Sequence, residues 1–182
     1  MINIAHVIKI LSSRNITKIK INNYLFNKKF HKKVDVLNSK IINKFLKLLK
    51  KHKNKEINLA LTHGDFKFEH LFLIKGRLEY VIDWESVGIR SIFFDLMNFF
   101  IPWFVRRKYS YSQIKKYILN FVRIYIPIMQ NEINKNYDIY FSIYALERYS
   151  RIQDQRTSKF STKEARIRYN NLFKRFNSIT EI

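Results

Sequence analysis

Within this chain of 182 residues, the side chains best suited to binding a cation or accepting a proton fall close together, between His63 and Asp83. Two apolar runs, Leu71 to Ile74 and Leu78 to Ile82, are separated by Lys75-Gly76-Arg77. A three-residue connection with a glycine available for positive φ predicts a β-hairpin. With Ile74 paired to Leu78, the antiparallel register sets His70 opposite Ile82 and therefore beside Asp83, at the open end of the hairpin. Asp65 stands five residues before His70. Local geometry alone thus delivers Asp65, His70 and Asp83 to one small volume. Two carboxylates gathered in this way are costly unless a cation or a substrate compensates them, so the expected chemistry is metal binding or proton transfer.

The elements that must position these residues can be read on either side. Ile57 to Thr62 reads as a strand leading into His63-Gly64-Asp65. Before it, Asp35 can cap a helix running to about Lys53, with Leu37, Ile41, Phe45, Leu48 and Leu49 at helical spacing and lysines on the other face. Ile4 to Phe30 mixes helical spacing with a strand-like alternation at Lys18 to Ile21, and the pattern does not decide between them. After residue 90 the expected helices run from about Ile92 to Lys108, with a kink at Pro102, from Ser112 to Pro127, and from Tyr137 to Gln153. A last helix starts at Ser161, which forms a capping box with Glu164. The aromatic residues of these helices are expected in the core. The expected fold is α+β and mostly α-helical, one unit over residues 1–182, with a catalytic segment at 57–100 and a helical part at 101–182.

Composition narrows the function classes. The chain has 35 Lys and Arg against 14 Asp and Glu, a net charge of +21. Met1 to Ala60 holds 15 basic and 2 acidic residues and Ile101 to Ile182 holds 16 and 6, whereas Leu61 to Phe100 holds 4 and 6. Lys, Asn, Ile, Phe and Tyr are abundant throughout, the bias that an AT-rich genome produces, so the net charge is a weak guide to a partner. The centre keeps its carboxylates against that bias. The 3 glycines are Gly64, Gly76 and Gly88. With none before residue 64, the first third of the chain has no Walker loop, Rossmann fingerprint or kinase-type glycine flap. There is no Cys, hence no disulfide framework and no thiolate metal site. The start does not read as a signal peptide, and the most apolar stretch, Ser91 to Val105, is too short to span a bilayer and contains Asp95. No transmembrane segment and a cytoplasmic location are expected.

Leu61-Thr62-His63-Gly64-Asp65-Phe66, then Val81-Ile82-Asp83-Trp84-Glu85, then Phe94-Asp95-Leu96 resembles the catalytic core of the aminoglycoside phosphotransferase and choline kinase family, whose members have a protein-kinase-like fold. The resemblance covers the larger, carboxy-terminal lobe and is strongest over residues 57–100. It implies that Asp65 is the catalytic base that accepts or orients the proton of a substrate hydroxyl attacking the γ-phosphate of ATP. Asp83 would hold Mg²⁺ between the phosphates. Asp95 would support the catalytic-loop backbone, and His63 would pack and orient that loop rather than act as a general base. Position 70, a cofactor-binding and metal position, is Asn in the family and His here. An imidazole nitrogen is a poorer Mg²⁺ ligand than an amide oxygen, which shifts the expected preference towards a softer ion such as Mn²⁺. Arg90, Ser91 and Ile92 stand where the family often has Gly-Asp-Pro. Only 62 residues precede His63, so the amino-terminal nucleotide lobe of the family is expected to be absent or truncated, with another chain as a possible source of it.

The leading functional expectation is a small-molecule kinase transferring the γ-phosphate of ATP to a hydroxyl. A catalytically inactive, kinase-like binding module is the first alternative. A basic helical protein binding nucleic acid or anionic lipid is the second, although no nucleic-acid motif is present and any polyanion would bind weakly and with steep salt dependence. Because the region after Pro102 is strongly basic, a polycationic aminoglycoside is a poor acceptor, and a neutral or anionic hydroxyl compound is easier to accommodate.

Overall fold

A computed structural model describes residues 2–13, 17–27, 40–75 and 77–157. The architecture is mixed and mostly helical, with two small antiparallel sheets. Helix α1 (Ile2–Ser13) leads to strand β1 (Thr17–Lys20) and helix α2 (Ile21–Asn27). The undecided amino-terminal pattern is therefore both things in turn, helix then strand then helix. Helix α3 (Lys40–Lys51) is amphipathic and ends before the expected Lys53; of the expected stripe Phe45 and Leu49 are buried and Leu48 half-buried, Ile42 and Leu46 complete the buried face, and Lys44, Lys47 and Lys50 face solvent. The expected cap at Asp35, the hairpin glycine Gly76 and the helix start at Ser161 lie outside the described residues.

Strand β2 (Glu56–Thr62) is the centre of a three-stranded sheet, flanked by β1 and by β5 (Gly88–Ser91). Both pairings are antiparallel, with Thr17 opposite Leu59 and Thr62 opposite Gly88. The second pairing matters for function. It fixes the chain leaving β2 beside the chain entering β5, so the loop after Thr62 and the loop before Gly88 open at the same end of the sheet.

Between them lies the hairpin of β3 (Leu71–Ile74) and β4 (Arg77–Val81). Its register differs from expectation at the turn, where Ile74 pairs with Arg77 and Leu73 with Leu78. An irregularity between Phe72 and Leu73 then shifts the ladder, so that Phe72 pairs with Tyr80 and Leu71 with Val81. The shift restores the alignment expected at the open end, where the Ile82 N–H donates to the His70 carbonyl at 3.0 Å.

Three helices follow. Helix α4 (Phe94–Arg106) runs through Pro102 and buries Phe94, Leu96, Met97, Ile101 and Phe104. Helix α5 (Tyr111–Tyr125) is capped by Ser110, whose side chain accepts from the Gln113 N–H while the Gln113 side chain accepts from the Ser110 N–H, a reciprocal box. Helix α6 (Gln130–Thr157) is longer at both ends than its apolar pattern predicts. It is the central beam. Tyr137, Tyr140, Phe141, Ile143 and Tyr144 are buried, and the Phe93 and Phe94 rings of the sheet-to-helix junction pack edge-on against Tyr140 and Tyr144. The Asn58 N–H of β2 donates to the Tyr140 hydroxyl at 3.0 Å, tying sheet to beam. Among the described residues, no helix is long and apolar enough to cross a membrane.

Candidate active site

The segment after β2 turns sharply at Gly64, where φ is +82°. A Cβ there would stand 2.2 Å from the Ser86 carbonyl oxygen and 2.7 Å from Arg90 Nη1, so both the backbone conformation and the space demand glycine. The turn is held from below by Asp95 in the first turn of α4. Its Oδ2 accepts the His63 N–H at 2.7 Å and its Oδ1 accepts the Gly64 N–H at 2.9 Å. Burial raises the Asp95 carboxyl above its usual range even though these two donors favour its ionised form. One turn further along α4, Asn98 Nδ2 donates to the Phe66 carbonyl at 3.2 Å.

His63 is fully buried, and both its ring nitrogens are engaged. Its Nδ1 accepts the Asp65 N–H at 3.3 Å, so its Nε2 carries the proton donated to the Ile82 carbonyl at 2.8 Å. His63 thereby ties the Asp65 loop to the end of the hairpin.

Asp65, His70 and Asp83 converge, each offering one ligand atom within 4.8 Å of the others. Metal–oxygen and metal–nitrogen bonds of about 2.0–2.2 Å place neighbouring ligand atoms about 3–4 Å apart, so modest side-chain rotation would close this N,O,O set around an ion. The imidazole makes the stronger case. His70 Nδ1 lies 3.0 Å from the Asp65 carbonyl oxygen, which can only accept, so Nδ1 carries the ring proton there. That leaves Nε2 aimed at Asp83 Oδ2, 3.0 Å away. An unprotonated nitrogen and a carboxylate oxygen so close repel through their lone pairs. A proton or a metal ion between them removes the repulsion, and the carbonyl behind Nδ1 is the kind of support that orients ligating histidines. Asp83 itself is held in the left-handed region, φ 63° and ψ 57°.

Charges the sequence did not single out surround Asp65. Lys67 Nζ is 2.8 Å from its Oδ2, and Arg148 Nη1 of α6 is 3.8 Å from its Oδ1. Burial works to raise the Asp65 pKa, but Lys67, Arg148 and Arg151 together hold the carboxyl below the ordinary carboxylate range. Arg151 also straps the two loops together: its Nη1 donates to the Gly64 carbonyl at 3.0 Å and its Nη2 to the Ser86 hydroxyl. Arg90 donates to Thr62 Oγ1 at 2.8 Å and its Nε lies 3.4 Å from the Glu147 carboxyl group of α6. Lys67 stood in plain view two residues from Asp65. Arg148 and Arg151 carry no local signal, because their partners lie far away in the sequence.

A cleft of about 470 Å³ between α1 and β4 reaches Trp84, but it is lined by none of Asp65, His70 and Asp83 and is not where the chemistry converges. Comparison with known proteins agrees with the motif reading. The sequence model of the phosphotransferase enzyme family matches residues 21–120, more than half of the chain and the part that contains Asp65, His70, Asp83 and Asp95. Comparison with curated proteins and with solved structures gave no match.

Proposed function

Because the chain belongs to the phosphotransferase enzyme family, we propose that it transfers the γ-phosphate of ATP to a hydroxyl of a small molecule, with Asp65 as the residue that receives the acceptor. The observation that carries this reading is the convergence of Asp65, His70 and Asp83 beside a loop fixed by Asp95. Phosphoryl transfer asks a protein mainly for positioning and charge neutralisation. A Mg²⁺ or Mn²⁺ ion held by His70 and Asp83 would supply neutralisation of the phosphate oxygens.

The remaining work falls to the chain. Asp65 orients the acceptor hydroxyl in line with the γ-phosphorus. As the new oxygen–phosphorus bond forms and the bond to the β-phosphate oxygen breaks, the hydroxyl proton passes to Asp65 and ADP carries away the leaving electron pair. With a depressed pKa, Asp65 is a weak base, which suits a loose transition state in which the proton leaves late. Lys67, on the Oδ2 side of Asp65 with His70, is placed to neutralise the transferring group. Asp95, Asn98 and His63 hold the loop still. Phe72, Tyr80 and Ile82, exposed on the hairpin beside these groups, offer an apolar platform for the nucleoside.

The test is calorimetric titration of the full chain with ATP in the presence of Mg²⁺ and of Mn²⁺, together with ADP release. Metal-dependent binding that is lost in Asp83→Asn supports the reading. Absence of binding and turnover with either ion, with Asp83→Asn indistinguishable from the parent, would sink it and leave a kinase-like binding module as the better description.

A further inference from the structure

The two oxygens of Asp65 face different surroundings. Oδ2 carries the Lys67 ammonium at 2.8 Å and lies 3.9 Å from His70 Nδ1, on the side of the candidate metal ligands. Oδ1 faces Arg148 Nη1 at 3.8 Å, a separation too long for a hydrogen bond. Among the described residues the side-chain donor within hydrogen-bond distance of the Asp65 carboxylate is Lys67, on Oδ2, so Oδ1 is the less occupied oxygen for an approaching hydroxyl. Arg148 therefore stands beside the acceptor position.

Its neighbour three residues on, Arg151, is spent on the Gly64 carbonyl and the Ser86 hydroxyl. Arg148 makes no hydrogen bond among the described residues, and its side chain is 22% exposed. Its guanidinium therefore keeps its donors available for a planar or tetrahedral oxyanion. Asp65 is shared by Lys67, Arg148 and Arg151, one carboxylate against three cations. Arg148 and Arg151 also lie beyond residues 21–120, so the family match assigns neither of them a part.

We infer that Arg148 is an acceptor-binding residue, and that the acceptor is a small soluble hydroxyl compound carrying a phosphate or carboxylate close to the hydroxyl that is phosphorylated. This rests on the phosphotransferase reading and deepens it. An ammonium-bearing acceptor would set like charge against the guanidinium at the same place, so the residue selects against cations as well as for anions.

Calorimetric titration of the full chain, with and without saturating Mn²⁺ and ADP, would compare four probes: glucose 6-phosphate, glucuronate, glucose and glucosamine. The expected result is that at least one of the two anionic hexoses binds about tenfold more tightly than glucose, with glucosamine weakest. Arg148→Gln should abolish that preference and Arg148→Lys should retain part of it, while Mn²⁺ and ADP leave it in place. Equal binding of all four overturns the inference, as does a preference that survives in Arg148→Gln. Displacement of the anionic probe by Mn²⁺ and ADP overturns it too, because the anion would then occupy the nucleotide's phosphate position. A parallel titration of Mn²⁺ and ADP into the parent and Asp83→Asn reports on the underlying activity separately. Anion preference without metal-nucleotide binding would sink the phosphotransferase reading alone, and the reverse pattern would sink the acceptor site alone.

Discussion

Asp65 and Asp95 are driven in opposite directions by their surroundings, which separates their work. Cations favour the ionised form of Asp65, whereas Asp95 is buried and committed to two backbone N–H groups. Asp95→Asn keeps the shape but replaces one accepting oxygen with an NH₂ that faces a donor. A loss of about 1–3 kcal/mol in urea unfolding is expected, and an unchanged midpoint would show that the loop does not depend on this pair of bonds. At position 70 the expectation concerns selectivity. His70→Asn swaps a nitrogen ligand for an amide oxygen, so metal affinity should move towards Mg²⁺ relative to Mn²⁺ in a paired titration. Weaker binding of both ions would mean that the imidazole contributes something an amide cannot. Both residues were legible in the sequence, Asp95 through the motif and His70 through the hairpin register. Asn98, which holds the Phe66 carbonyl, was not, since a buried Asn in an apolar helix announces no partner.

At the scale of elements, the hairpin and the central strand could be read because their pairing is local, and the α3 stripe because its period is regular. The starts of α5 and α6 were harder. The cap of α5 is Ser110, two residues before the expected start, and its evidence is a Ser-x-x-Gln pair rather than an apolar pattern. The first turns of α6 are mostly polar, so seven helical residues before Tyr137 carry little periodic signal. What α6 contributes below the site is a buried acid. Glu147 contacts Arg90 from one side and the Tyr24 hydroxyl of α2 from another, yet burial pushes its carboxyl from 4.5 up to about 8. Between those values the folded chain holds a proton that the unfolded chain has released. The contribution of Glu147 to stability should therefore be fully present below about pH 4.5, decline as the pH rises towards about 8, and be lost above, whereas Asp65 and Asp138, held below the ordinary carboxylate range, lose their contribution as the pH falls. Glu147→Gln should flatten that decline in thermal melts taken across the range. A slope identical to the parent's would assign the pH dependence to other groups.

For the molecule as a whole, the sequence spoke most clearly where contacts are short in chain distance and fell silent where they are long. The strap from Arg151 to the Gly64 carbonyl joins positions 87 residues apart, and nothing in either neighbourhood foretells it. The same holds for Arg148 against Asp65 and Arg90 against Glu147, where isolated charges in a lysine- and arginine-rich chain look like any others. The net charge of +21 conceals this division, since among the described residues a few cations meet acidic groups inside the protein while most of the other lysines and arginines are exposed. The left-handed backbone at Asp83 reaches the whole molecule by another route. A β-carbon in that conformation costs about 1–2 kcal/mol, and a glycine would remove the cost while giving back part of the gain through a freer unfolded chain. Asp83→Gly should therefore melt no lower than the parent and bind no metal, whereas a lower melting temperature would show that the carboxylate's contact with His70 outweighs the strain. If the first outcome holds, thermal robustness and metal binding compete at this position, because the substitution that relieves the backbone also removes the carboxylate.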